Sequence, residues 1–152
     1  MNTAIPSTLK RLIVSTICYM VIALIGGVVA IRENLPAGIG GYHSEQTVTQ
    51  GFIYGIGTAL SPPLYTLIVQ IALLLLTSRK DRWGTVGVFG LTLIGLMTCV
   101  GALGEPINQQ IFNPATFDPL KALIMAGMIL IPFAIVVFGL MEWSRRRSEN
   151  II

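Results

Sequence analysis

The sequence predicts an all-α integral membrane protein, a four-helix bundle that runs up-down-up-down with both termini in the cytoplasm. Three observations predict it. The 152 residues are 53% hydrophobic and only 11% charged, with a mean hydropathy of +0.76, where a soluble domain carries about 25% charged residues. Four apolar runs, Leu12–Ile31, Phe52–Thr77, Gly84–Gly104 and Leu120–Met141, hold no charge in their interiors beyond Lys121 at the very start of the fourth. Each reaches the roughly 20 residues that a helix needs to cross hydrocarbon. The basic residues are the third observation: Lys10, Arg11, Arg79, Lys80, Arg82 and Arg145–Arg147 fall at one end of the predicted helices, and only Arg32 and Lys121 fall at the other. Short loops rich in Lys and Arg stay in the cytoplasm. The expectation is a single domain over residues 1–152, multi-pass in a cell (plasma) membrane such as the bacterial inner membrane, with helices over about 12–31, 52–77, 84–104 and 119–143.

The first helix, 12–31, follows Lys10-Arg11, as the apolar part of a signal peptide would. Its length of about 20 residues exceeds that of such a segment, so a retained helix is expected. Cys18 lies toward its inner end and Cys99 toward the outer end of the third helix, a separation that argues against a disulfide. Gly26 and Ala30 are small enough for close helix contact.

The second helix, 52–77, carries the least ordinary pattern. Gly51, Gly55 and Ala59 recur at four-residue spacing as a small packing face. Beside them Tyr54, Thr58, Ser61 and Tyr65 form a hydroxyl stripe, with Gln70 deeper in the same helix. Pro62-Pro63 removes two amide donors in mid-span and predicts a bend that faces protein or water. Ser44, with Glu45 and Gln46, is a candidate cap for an early start.

In the third helix, 84–104, Gly84, Gly87, Gly95, Thr98, Gly101 and Ala102 share one side and Phe89, Leu93, Leu96, Val100 and Leu103 the other. The small side is expected to face the bundle and the bulky side lipid, with Leu91 and Ile94 interrupting the stripe. The fourth helix starts at Asp118-Pro119, an N-cap followed by a proline at a position that needs no amide donor. Pro132 predicts a mild bend within it. Trp83 and Trp143 would mark the inner interface.

Candidate chemistry gathers at the outer end. Glu105 directly follows the third helix, in line with its small-residue stripe, with Pro106 and Asn108 next to it. A carboxyl there serves as a proton acceptor or cation holder, or else as a helix-end partner for Arg32 or Lys121. Thr58, Ser61, Tyr54 and Tyr65 either satisfy carbonyls freed by the prolines or line a crevice that opens toward Glu105. His43 is the single histidine and reads as a solvated loop residue; with Glu45 and Glu105 it could supply a metal set only if the loops fold together.

The sequence contains no CxxC, serine-histidine-acid spacing, nucleophile elbow or zinc-binding helix, and no GK[ST] follows Gly38, Gly40 and Gly41. No catalytic residue, metal or cofactor is therefore assigned. The first helix lacks the buried glutamate that a small multidrug transporter needs, and a span without charge argues against proton-coupled transport. Nucleic acid is excluded because the basic residues are divided among three clusters beside the membrane. In size and topology the chain resembles small four-helix bacterial membrane proteins, a likeness of architecture that transfers no motif.

The function expected is non-enzymatic: binding of a lipid- or quinone-like ligand, or of a partner membrane protein, through an outward-facing crevice at Glu105, Asn108, Tyr54, Thr58, Ser61 and Tyr65. A homodimer would use the same small faces. The alternative is a small-molecule transporter or a membrane oxidoreductase subunit using that crevice.

Overall fold

A computed structural model describes residues 5–39, 42–43, 47–111 and 113–149. The chain is all-α apart from a two-residue antiparallel pairing of Gly38–Ile39 with Tyr42–His43. Three helices are long and apolar enough to cross a membrane: α1 (Ser7–Arg32), α4 (Arg82–Gly104) and α6 (Pro119–Ser148). The others are α2 (Val48–Tyr54), α3 (Leu64–Thr77) and α5 (Ile107–Ile111).

α1 buries one stripe, Leu12, Thr16, Tyr19, Ala23, Gly26 and Ala30, at the three- and four-residue spacing of a single helix face. Val14, Ile17, Val21, Leu24 and Val28 point outward. α1 ends where Asn34 turns to a φ of 54°, and the amides of Asn34 and Leu35 reach back to the carbonyls of Ile31 (3.4 Å) and Ala30 (2.8 Å). That pair of bonds is a Schellman stop, which satisfies carbonyls the helix itself leaves free.

The predicted continuous second helix is not formed. α2 covers seven residues, residues 55–63 are non-helical, and α3 resumes at Leu64 for fourteen. The cause is local. Gly57 sits at φ +104°, and the two prolines that follow Ser61 cannot donate to a helical ladder. The chain instead folds a tight turn: the amide of Thr58 donates to the carbonyl of Ser61 (2.8 Å) and the amide of Ser61 to that of Thr58 (3.3 Å). α3 alone extends about 21 Å at 1.5 Å per residue, short of the roughly 30 Å hydrocarbon thickness. The cap of α2 is Thr47, whose hydroxyl accepts from the Gln50 amide while the Gln50 side chain accepts from the Thr47 amide. The expected cap, Ser44 with Glu45 and Gln46, lies outside the described residues.

The small residues of this region pack as the break requires. A Cβ on Gly26 would run into the backbone carbonyl of Leu60, so α1 accepts the non-helical turn rather than a crossing helix. A Cβ on Gly51 would stand 2.8 Å from the carbonyl of Gly57, so the Gly51–Gly55–Ala59 face serves the turn and not a helix pair.

α4 behaves as its sequence predicts. Gly84, Gly87, Gly95 and Ala102 are buried, and Phe89, Leu93, Leu96, Val100 and Leu103 are exposed. Leu91, expected to interrupt the small side, joins the core at 0% exposure. Gly87 lies against the last turn of α3, and Gly95 against Pro132 and Ile135 of α6. Asp81 caps α4 by accepting from the amides of Trp83 (3.1 Å) and Gly84 (3.3 Å). Asp118 caps α6 from the amides of Leu120 (2.9 Å) and Lys121 (3.3 Å), with Pro119 in the first turn as predicted. α6 packs on α1 along one side and on α4 along the other, and α3 packs on α4. α1 and α6 are antiparallel, since Thr8 meets Glu142 at one end and Glu33 meets Lys121 at the other. Both cysteines are free.

Candidate functional site

A cavity of about 480 Å³ opens between α3 and α4, with the 55–63 turn as its roof and α6 and α1 behind it. Its size is that of a small-molecule site. The lining is mostly apolar, from Pro62, Ile94, Met97, Met125 and Met128, with polar groups at a few points. Tyr65 is 51% and Met97 65% exposed, so the opening lies on the apolar flank of the helices.

Of the six residues expected in a crevice, the structure brings four to this cavity: Glu105, Thr58, Ser61 and Tyr65. They meet through the turn and not along a helical stripe. The hydroxyls of Thr58 and Ser61 donate to the carbonyls of Ser61 (3.4 Å) and Pro62 (3.1 Å), so they serve the turn that forms the wall. Tyr54 is on α2, 60% exposed and away from the cavity, because the break separates it from Tyr65. Asn108 is also outside it: its Nδ2 donates to the carbonyls of Ala102 (2.8 Å) and Leu103 (3.2 Å) and so closes the end of α4. Gln70 is fully buried beside the cavity but does not line it, and neither of its amide atoms has a partner among the described residues.

Glu105 lines the cavity, half-buried, where the α4 backbone leaves the helix. Its Oε2 accepts from the Gly38 amide at 3.1 Å, which ties it to the chain that follows α1. The expected ion pair with Lys121 is not made: Lys121 Nζ is held by Glu33 (2.6 Å) and Asp118 (3.2 Å), and among the described residues Glu105 has no salt bridge to Arg32 either. Burial raises the Glu105 carboxyl above its ordinary value of 4.5, and the Gly38 amide opposes that rise in part. A carboxyl raised on folding costs nothing below 4.5 and costs stability once pH rises through its folded value. Glu105→Gln is therefore expected to melt at a higher temperature than the natural protein at neutral pH, with the difference gone below the ordinary carboxyl value. A variant that melts lower at neutral pH would show that the carboxylate stabilises the fold.

Sequence reasoning missed Tyr19. Its side chain is fully buried in the cavity wall, and its hydroxyl has no hydrogen-bond partner among the described residues. Thr98 is its polar neighbour: the Thr98 hydroxyl donates to the carbonyls of Ile94 (2.9 Å) and Gly95 (3.1 Å), and its oxygen keeps the capacity to accept from Tyr19. The available signal was a lone tyrosine on the same stripe as Thr16 and Ala23.

A second cluster was also missed, at the basic end. Glu142, at 0% exposure, receives Arg145 (2.7 and 2.9 Å), Arg146 (2.9 Å) and the Thr8 hydroxyl (2.6 Å). Arg146 also donates to the carbonyls of Thr77 (2.7 Å) and Arg79 (3.1 Å), closing the end of α3. Gly84 leaves the room: a Cβ there would collide with the Arg79 carbonyl and the Arg146 guanidinium. Every strong donor is matched, so this cluster is a brace rather than a reaction centre. Among the described residues no three His, Cys, Asp or Glu side chains gather as a metal set, and the His43 side chain and Glu45 lie outside them.

No protein-family model, curated protein or solved structure matches the chain, so the geometry of the cavity carries the functional reading.

Proposed function

We propose that the chain is a multi-pass protein of a cell membrane, with α1, α3, α4 and α6 forming one four-helix bundle and the basic end in the cytoplasm, and that it binds a small lipid- or quinone-like molecule taken laterally from the bilayer. The single observation that carries this is the apolar cavity of about 480 Å³ on the flank of the helices, with the Glu105 carboxyl in its lining. The Glu105 carboxyl, with its raised affinity for a proton, would donate to or accept from a polar group of the ligand. The methionines of the lining suit a flexible apolar body, since their unbranched side chains adapt to irregular shapes. The role is binding and holding.

Native mass spectrometry of the protein in mild detergent, with an absorption spectrum of the same sample, tests the reading. The expected result is a retained small mass that is reduced in Glu105→Gln. A bare polypeptide that also takes up neither ubiquinone nor phospholipid on titration would overturn it.

A further inference from the structure

The basic end carries a second cavity, of about 430 Å³, separate from the one at Glu105. We infer that it holds the phosphate of an anionic phospholipid. One wall is apolar, Pro6, Leu9 and Ile13 of α1, and the facing rim is Arg79, Lys80 and Arg145. An apolar wall against a cationic rim is the division that a lipid presents, chains on one side and headgroup on the other. The inference rests on the membrane-spanning reading above and not on the ligand of the first cavity.

The charge balance favours an anion. Around this end stand eight basic residues and three acidic ones, Asp81, Glu142 and Glu149. Each carboxylate is already engaged: Asp81 by Arg79 (2.7 Å), Glu142 by Arg145 and Arg146, and Glu149 by Arg145. Glu149 lines the cavity and would repel a phosphate, but Arg145 neutralises it there. Lys80 forms no ion pair among the described residues, and the Ser78 hydroxyl beside it donates to none of the described groups. Three ammonium protons, a hydroxyl and the Nη1 of Arg79, whose Nε and Nη2 serve Asp81, are thus free to bind phosphate oxygens.

The full chain, stripped of lipid by detergent exchange, should be titrated with phosphatidylglycerol, with phosphatidylethanolamine and with inorganic phosphate, and the adducts counted by native mass spectrometry. The expected result is preferential retention of phosphatidylglycerol, reduced about fivefold in Lys80→Ala and further in Lys80→Ala with Arg79→Gln, but kept in Lys80→Arg. Unchanged melting of these exposed variants would show that the fold is intact. Equal retention of the two lipids, or full retention by the double variant, would overturn the inference. Adducts of inorganic phosphate that displace phosphatidylglycerol at equal concentration would overturn the lipid assignment in favour of a soluble phosphate. Phosphatidylglycerol retention that falls in the Lys80 variants but not in Glu105→Gln, with no uptake of ubiquinone, would sink the proposed function and leave this site standing.

Discussion

Glu142→Gln should lower the stability of the protein by about 3–5 kcal/mol, the cost of breaking a buried ion pair by removing one partner. The carboxylate is fully buried and is the counter-charge for Arg146, itself 3% exposed, and for Arg145. Glutamine keeps the shape and can still accept from Thr8, but it leaves the Arg146 guanidinium buried with only the carbonyls of Thr77 and Arg79. These contacts join the start of α1, the end of α3 and the end of α6, so their loss loosens three elements together. Denaturant unfolding in detergent, followed by circular dichroism, measures the change. Asp81→Asn at the exposed Arg79–Asp81 pair is the comparison, because a solvent-screened ion pair contributes little to stability. If Glu142→Gln unfolds no more readily than that, the cluster is not the brace described.

Gly101→Phe should abolish ligand retention while leaving the fold intact. Gly101 lines the cavity at Glu105, and a Cβ built there meets nothing within 4 Å. A phenyl ring there would fill cavity space, and replacing a glycine in the last turn of α4 favours the helix by roughly a few tenths of a kcal/mol. The affinity for whatever the cavity holds should fall by more than about tenfold, a loss of over roughly 1.4 kcal/mol. Gly104→Phe is the control, because its Cβ also meets open space but Gly104 does not line the cavity. Melting curves of both variants and native mass spectra of the retained ligand decide the matter. Undiminished retention in Gly101→Phe would move the binding site elsewhere.

Much of the architecture was legible as pattern. The long apolar runs read directly as α1, α4 and α6, because hydrophobic length is a property of the chain itself. The same holds for the burial of the glycine side of α4 and for the Asp118-Pro119 start of α6, where the signal and its structural consequence lie within a few residues. The second run misled, because a hydropathy window does not weigh Gly57 and Pro62-Pro63 as a full stop. In a continuous helix Tyr54 and Tyr65 would share a face; with residues 55–63 turned out of the helix, only Tyr65 reaches the cavity.

The amino-acid sequence by itself determined the class of this protein, its long helices and the division of charge between its ends, since each depends on residues close together in the chain. Only the tertiary structure decided what the polar groups do. Glu105 was visible as a carboxyl after a helix, but its place in a cavity lining and its bond to the Gly38 amide, 67 positions away, were not. Tyr19 looked like one more residue of an apolar helix until the 55–63 turn and α6 enclosed it. Glu142 and Thr8 are 134 positions apart, and Arg146 finds its carbonyls on another helix. Burial and hydrogen bonding are properties of assembled surfaces, so the partners of a polar side chain are settled only when the helices pack.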